Sequence, residues 1–250
     1  MRPEFVFLLN IVLVSRLVYA LREERLTTAG LILLTGVQTV GLLAFEPSPA
    51  CGVLLGLLLL VAIVSHAAEK KIDRLGTIRL VTLGVQTALV SIATAPAIGV
   101  TFNGAAMQWL ASLDRFTVLV TAVKIIASHG SNLVLLGALM VINEVNLLLR
   151  MQLGSLRLGP DNASADGVAA EATRRPEYAH GKLIGILERI LIYVAVMSNQ
   201  VAAVGLVLAA KGFVRFKEMD DRRFAEYVLI GTLLSALLAV IVALTVKALL

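Results

Sequence analysis

Cysteine, histidine and the known catalytic motifs are scarce or absent in this chain, which excludes several classes of protein. The one cysteine, Cys51, excludes an intrachain disulfide and a cysteine cluster for a metal. The three histidines, His66, His129 and His180, are too dispersed to form a zinc-binding pair. A phosphate-binding glycine loop and a Gly-x-Ser-x-Gly elbow are both missing. The sequence predicts no metal and no cofactor, and an enzyme is the less favoured class.

Charged residues are also few, at 16% of the 250 residues, whereas hydrophobic residues make up 58%. Apolar runs of about 20 residues, long enough to cross a bilayer, recur along the chain. We therefore predict an all-α, polytopic transmembrane helix bundle of seven or eight helices, forming a single integral membrane domain over residues 1–250. Seven spans are predicted at residues 5–21, 26–45, 51–68, 76–95, 133–149, 183–210 and 224–250, with an eighth at residues 107–127.

The net charge of +5 comes from lysines and arginines gathered in short connections between these spans. Residues 22–25 and 69–74 carry Lys and Arg, whereas residues 46–50 and 96–113 carry neither. Because basic connections stay in the cytoplasm, we expect the first two there and the N-terminus outside. No nucleic acid partner is needed to explain the charge.

The second half allows two topologies, because residues 152–182 and 211–223 are both basic and one span separates them. A full crossing by residues 107–127, which we favour, places residues 211–223 in the cytoplasm, and an interfacial helix there places them outside. Residues 157–181 are predicted to be a flexible polar loop, and residues 182–250 a C-terminal helix pair.

A short repeat links the second and fourth spans. Gly36-Val37-Gln38-Thr39 recurs as Gly84-Val85-Gln86-Thr87, which suggests two tandem helix hairpins over residues 1–100, with chance similarity as the alternative. Gln38 and Gln86 therefore hold matched positions.

Polar side chains inside apolar spans mark the candidate functional residues, because they are costly to desolvate and normally face protein or water. On one helix, positions eleven apart nearly superimpose, so Glu188 lies under Asn199 and Arg189 under Gln200. They predict either a polar path or buried pairs; otherwise the charges lie at the headgroups and the amides join helices. Candidates for the path or pairs are Glu144, Glu188, Arg189, Asn199, Gln200, Gln38 and Gln86. A basic surface for anionic lipid or a protein partner would comprise Lys211, Arg215, Lys217, Arg222 and Arg223.

Residues 181–189 (GKLIGILER), 199–205 (NQVAAVG), 215–218 (RFKE) and 230–235 (IGTLLS) carry a family resemblance. They resemble the C-terminal half of an uncharacterised family of bacterial inner-membrane proteins, a domain of unknown function. That resemblance covers about residues 181–238 and implies a bacterial cytoplasmic membrane, but no catalytic residues. Two function classes stay open: a small transporter or channel, and a non-transporting membrane subunit that binds a protein partner, lipid or a second copy of itself.

Overall fold

A computed structural model of the chain describes residues 2–21, 25–72, 74–104, 128–155, 168–214 and 222–250. Its helices confirm the all-α prediction, and the predicted span at residues 107–127 lies outside the described residues. In chain order the helices are α1 (Pro3–Leu21), α2 (Thr28–Leu42), α3 (Pro49–Lys71), α4 (Leu75–Ala93), α5 (His129–Leu139), a π-helical turn (Met140–Glu144), α6 (Val145–Ser155), α7 (Val168–Met197), α8 (Val201–Val214) and α9 (Arg222–Leu249).

Several of these helices are long and apolar enough to cross a membrane. Among the described residues, four segments meet that requirement: Pro49–Lys71, Leu75–Ala93, His129–Leu149 and Val228–Leu249. Their outward faces carry large exposed apolar side chains, such as Leu60 on α3 and Leu233 on α9. Apolar surface of this extent is normally covered by a membrane or by a partner protein. Length and apolar surface together make the chain a membrane protein.

A single domain was predicted over residues 1–250. The contacts divide the chain into two compact units. Unit 1 comprises Met1–Leu139 and Leu249–Leu250, and unit 2 comprises Met140–Ala248. In unit 1, α1 packs against α2, α4 and α5, and α3 packs against α2 and α4. Side-chain caps start two of these helices: Thr27 accepts from the Gly30 amide before α2, and Ser48 from the Cys51 amide before α3.

The connections of unit 1 separate to its two ends. At one end Arg25 donates from Nη1 to the Lys70 carbonyl oxygen at 3.2 Å, which joins the two basic connections. At the other end of α3 the Glu46 amide donates to the Thr101 carbonyl oxygen at 3.0 Å. The connections with Lys and Arg thus share one end, and those without them share the other.

Unit 2 differs from the predicted helix pair. The predicted span at residues 183–210 is wrong, because α7 ends at Met197 and α8 begins at Val201. Asn199 adopts a φ of 61°, a left-handed conformation that asparagine tolerates better than most residues, and α8 packs back against α7. The predicted loop at residues 157–181 is helical from Val168 onward, where Ala, Glu and Arg are strong helix formers.

Candidate functional site

A cluster of charged side chains is buried at the basic end of unit 1. Glu69 has no exposed surface, and Arg16 and Arg79 are also buried. Arg79 Nε donates to Glu69 Oε1 at 3.0 Å, and the Leu26 amide donates to Glu69 Oε2 at 2.9 Å. Arg16 Nη2 donates to the Arg79 carbonyl oxygen at 2.9 Å. The Tyr19 ring lies 5.2 Å from the Arg16 guanidinium and 4.4 Å from that of Arg79.

This cluster holds helices of unit 1 together. It connects α1, α3, α4 and the start of α2, and it lies within about 8 Å of the helix ends at 1.5 Å per residue. Arg16 and His66 are both buried, although basic side chains near helix ends often extend to the headgroups. The Glu69–Arg79 pair was not among the predicted site residues. The sequence feature that could have indicated this pair is a Glu and an Arg ten residues apart, on either side of a tight turn between two apolar helices.

The two matched glutamines are buried in separate helices of unit 1. Gln38 Nε2 donates to Ser15 Oγ at 3.0 Å, which ties α2 to α1. The side-chain oxygens of Gln38 and Gln86 have no hydrogen-bond partner among the described residues. Both positions therefore face helix contacts rather than lipid, and the proposed duplication of the hairpins stays a prediction.

In unit 2, Glu188 and Arg189 reach different helices, as neighbouring positions on a helix should. Lys211 on α8 donates from Nζ to the Glu188 carboxylate, and both side chains keep some exposure, at 18% and 17%. Arg189 is buried with 3% exposure. Glu188 therefore belongs to a partly accessible ion pair, whereas Arg189 is enclosed.

Arg189 is held by polar groups on three elements. Its Nε donates to the Val141 carbonyl oxygen in the π-helical turn at 3.1 Å. Its terminal nitrogens lie 3.4 Å from Ser235 Oγ on α9 and 3.4 Å from Asn146 Oδ1 on α6. Ser235 was not among the predicted residues, and a single hydroxyl on an apolar helix gives no sequence signal of this contact.

The π-helical turn brings a second acid into unit 2. Asn143 Nδ2 donates to Glu144 Oε1 at 2.7 Å, and both side chains are buried. The wider π-helical turn leaves backbone carbonyl groups available, and such turns occur frequently at functional sites. Here the turn supplies Arg189 with the Val141 carbonyl oxygen. Residues 140–144 thus combine an acceptor for a buried cation with a buried carboxyl group.

Helix geometry gives the distance of these charges from the ends of their helices. Lys247, near the end of α9, donates to Asn199 Oδ1 and so places the α7–α8 turn beside that end. Ser235 precedes Lys247 by twelve residues, or about 18 Å, and Glu188 precedes Met197 by nine, or about 14 Å. Glu188 and Arg189 therefore lie well inside α7, away from the α7–α8 turn.

The amides of the α7–α8 turn do not extend this cluster. Asn199 and Gln200 are exposed, and the turn ends the helix on which they were expected to stack over Glu188 and Arg189. That predicted superposition is wrong.

The predicted basic surface loses Lys211 to the pair with Glu188. Arg215 and Lys217 lie outside the described residues, and Arg222 and Arg223 begin α9.

The chain matches no protein-family model, and no curated protein or solved structure is significantly similar to it. The family resemblance of residues 181–238 therefore stays a prediction. Within the described ranges, no group of three His, Cys, Asp or Glu side chains is placed to hold a metal ion.

Proposed function

We propose that this chain is a multi-pass protein of the bacterial cytoplasmic membrane that moves protons or small cations through unit 2. The observation that carries the proposal is the Glu188–Lys211 ion pair, in which Glu188 lies about 14 Å along α7 from its end at Met197. If that end lies at the membrane surface, a hydrocarbon core about 30 Å thick puts the pair near its middle. Ionisable groups at that depth cost several kcal/mol unless they are paired, and they commonly mark ion paths and proton relays. The proposal thus identifies a small transporter or channel whose central element is this pair.

The two charged groups on α7 have different roles in this proposal. Arg189 is enclosed and held by the Val141 carbonyl oxygen, so it supplies a fixed positive charge. Glu188 and Lys211 retain some exposure, so a proton or cation can reach the carboxylate and replace Lys211 as its partner. Neutralising Glu188 weakens its attraction for Lys211, which is strong in a low-dielectric interior. Exchange of this partner is the proposed transport step, and Glu144 is a second carboxyl group for the path.

The topology proposed with this function places the basic end of unit 1 in the cytoplasm. Arg25 and Lys70 lie at the same end of unit 1, and this supports the topology because positive charge stays on the cytoplasmic side. The resemblance of residues 181–238 supports the bacterial assignment.

Proton flux into liposomes tests the function directly. The full chain is reconstituted into liposomes loaded with the pH-sensitive dye pyranine, and a potassium potential is applied with valinomycin. We expect the wild type to acidify the lumen faster than protein-free liposomes, and Glu188→Gln to reduce the rate to that of protein-free liposomes. Glu46→Gln is the matched control, because this exposed glutamate lies in unit 1 and should leave the rate unchanged.

Rubidium and sodium uptake by the same liposomes covers the cation arm of the proposal. If the wild type moves none of the three ions, or if Glu188→Gln conducts as well as the wild type, the transport proposal is wrong. The non-transporting membrane subunit, binding a partner through residues 211–223, is then the remaining function.

A further inference from the structure

An apolar groove of about 450 Å³ runs along the outward face of α3 and α4 in unit 1. Its walls include Leu60, Val64 and Ala68 on α3, with Val81 and Val85 on α4. The groove reaches Ile72 and Arg74 at the basic end of the unit. From Leu60 to Ile72 the helix rises about 18 Å, close to the thickness of one bilayer leaflet.

The two buried hydroxyl groups of the groove, those of Ser65 and Thr82, already have partners. Thr82 Oγ1 lies 3.0 Å from Ser65 Oγ, and it also donates to the Ile78 carbonyl oxygen at 2.8 Å. These two hydroxyl groups therefore need no hydrogen bond from a molecule bound in the groove. The groove accordingly matches an extended hydrocarbon chain rather than a polar solute.

Two cations lie at the basic end of α3 and α4. Arg74 lines the groove just before α4. Lys71, the last residue of α3, follows Val64 by seven residues, which places Lys71 on the face of α3 that carries Val64. Both cations are exposed, and neither forms an ion pair within the described ranges. Glu69 cannot neutralise them, since its two oxygens accept from Arg79 and from the Leu26 amide.

We infer that this groove binds one anionic phospholipid, with an acyl chain against α3 and α4 and the phosphate between Lys71 and Arg74. The charges select an anionic headgroup, because a zwitterionic headgroup brings its own cation toward these two. Basic residues near a membrane surface contribute about 1 kcal/mol each toward anionic lipid. The site lies in unit 1, so it does not depend on the transport proposed for unit 2.

Native mass spectrometry of the full chain in detergent measures this binding. The chain is titrated with phosphatidylglycerol and with phosphatidylcholine carrying identical acyl chains, and the dissociation constant of the first bound lipid is compared. The wild type should prefer phosphatidylglycerol, and Lys71→Gln with Arg74→Gln should weaken its binding about fivefold for each cation removed. Phosphatidylcholine binding should change little.

Lys70→Gln is the matched control, because this exposed lysine adjoins Lys71 but points about 100° away around the helix. It should keep the wild-type preference. Val81→Trp fills the groove and should weaken both lipids while the cations remain. Equal binding of the two lipids by the wild type, or an unchanged preference in the Lys71 and Arg74 double variant, would overturn the inference.

Discussion

Removing the Glu69 carboxylate should destabilise unit 1 severely. In Glu69→Ala, the buried Arg79 guanidinium loses its partner and the Leu26 amide loses its acceptor. Breaking a buried ion pair from one side costs about 3–5 kcal/mol, and an unsatisfied buried amide costs about 1–3 kcal/mol. We therefore expect a loss of about 4 kcal/mol or more in the free energy of unfolding, measured by circular dichroism during titration with dodecyl sulfate in mixed micelles.

A double-mutant cycle separates the pair from the rest of the cluster. Glu69→Leu with Arg79→Met removes both charges and takes the Glu69 acceptor from the Leu26 amide, so it should lose about 1–3 kcal/mol, less than Glu69→Leu or Arg79→Met alone. Glu46→Ala, an exposed glutamate at the opposite end, is the control and should match the wild type. The reasoning fails if Glu69→Ala loses less than about 1 kcal/mol, or if the double variant loses the sum of the two single variants.

Two further predictions concern packing and topology in unit 1. Gly41→Ala would place its Cβ 2.5 Å from Ile11 Cδ1, whereas Gly36→Ala meets nothing within 4 Å. We expect Gly41→Ala to lose about 1–3 kcal/mol and Gly36→Ala to be neutral or stabilising; equal melting temperatures would contradict the packing of α1 on α2. In intact cells, with Cys51 replaced by Ala, an impermeant maleimide should label a cysteine at Glu46 but not one at Lys71. The reverse pattern would invert the topology.

Composition and charge placement predict most of the helices, because a bilayer constrains the length of apolar helices and the side on which basic residues lie. Apolar length is visible in sequence, so α3 and α4 lie close to the predicted spans at residues 51–68 and 76–95. The turn at Asn199 was missed because no proline or glycine breaks the apolar pattern there. Its signal is the polar run Ser198-Asn199-Gln200, in which an asparagine can adopt positive φ. The π-helical turn was missed because its local hydropathy does not differ from that of an α-helix.

The candidate site was predicted only in its residue types. Burial cost predicts that Glu188 and Arg189 find partners inside the protein, and in the structure they contact Lys211 and the Val141 carbonyl oxygen respectively. The partners themselves depend on a turn that folds α8 back onto α7, and only this reversal brings Lys211 to Glu188. Periodicity along one helix cannot anticipate a contact made by reversing it. The Glu69–Arg79 pair was missed because a charge count does not distinguish a buried basic residue near a turn from one that faces the cytoplasm.

The charge clusters of the two units differ in what they can do, and depth and access decide the difference. Glu69 is fully buried near helix ends, with both oxygens engaged by groups of its own unit, so exchanging its partners would open the joint between helices. Glu188 lies nine residues before the end of α7 at Met197, keeps some exposure, and is paired with Lys211, whose flexible stem lets its ammonium group move away. The Glu69 carboxylate is therefore suited to holding the helices of unit 1 together. The Glu188 carboxylate keeps some access to a competing proton or cation, and the proposed transport step is assigned to it for that reason.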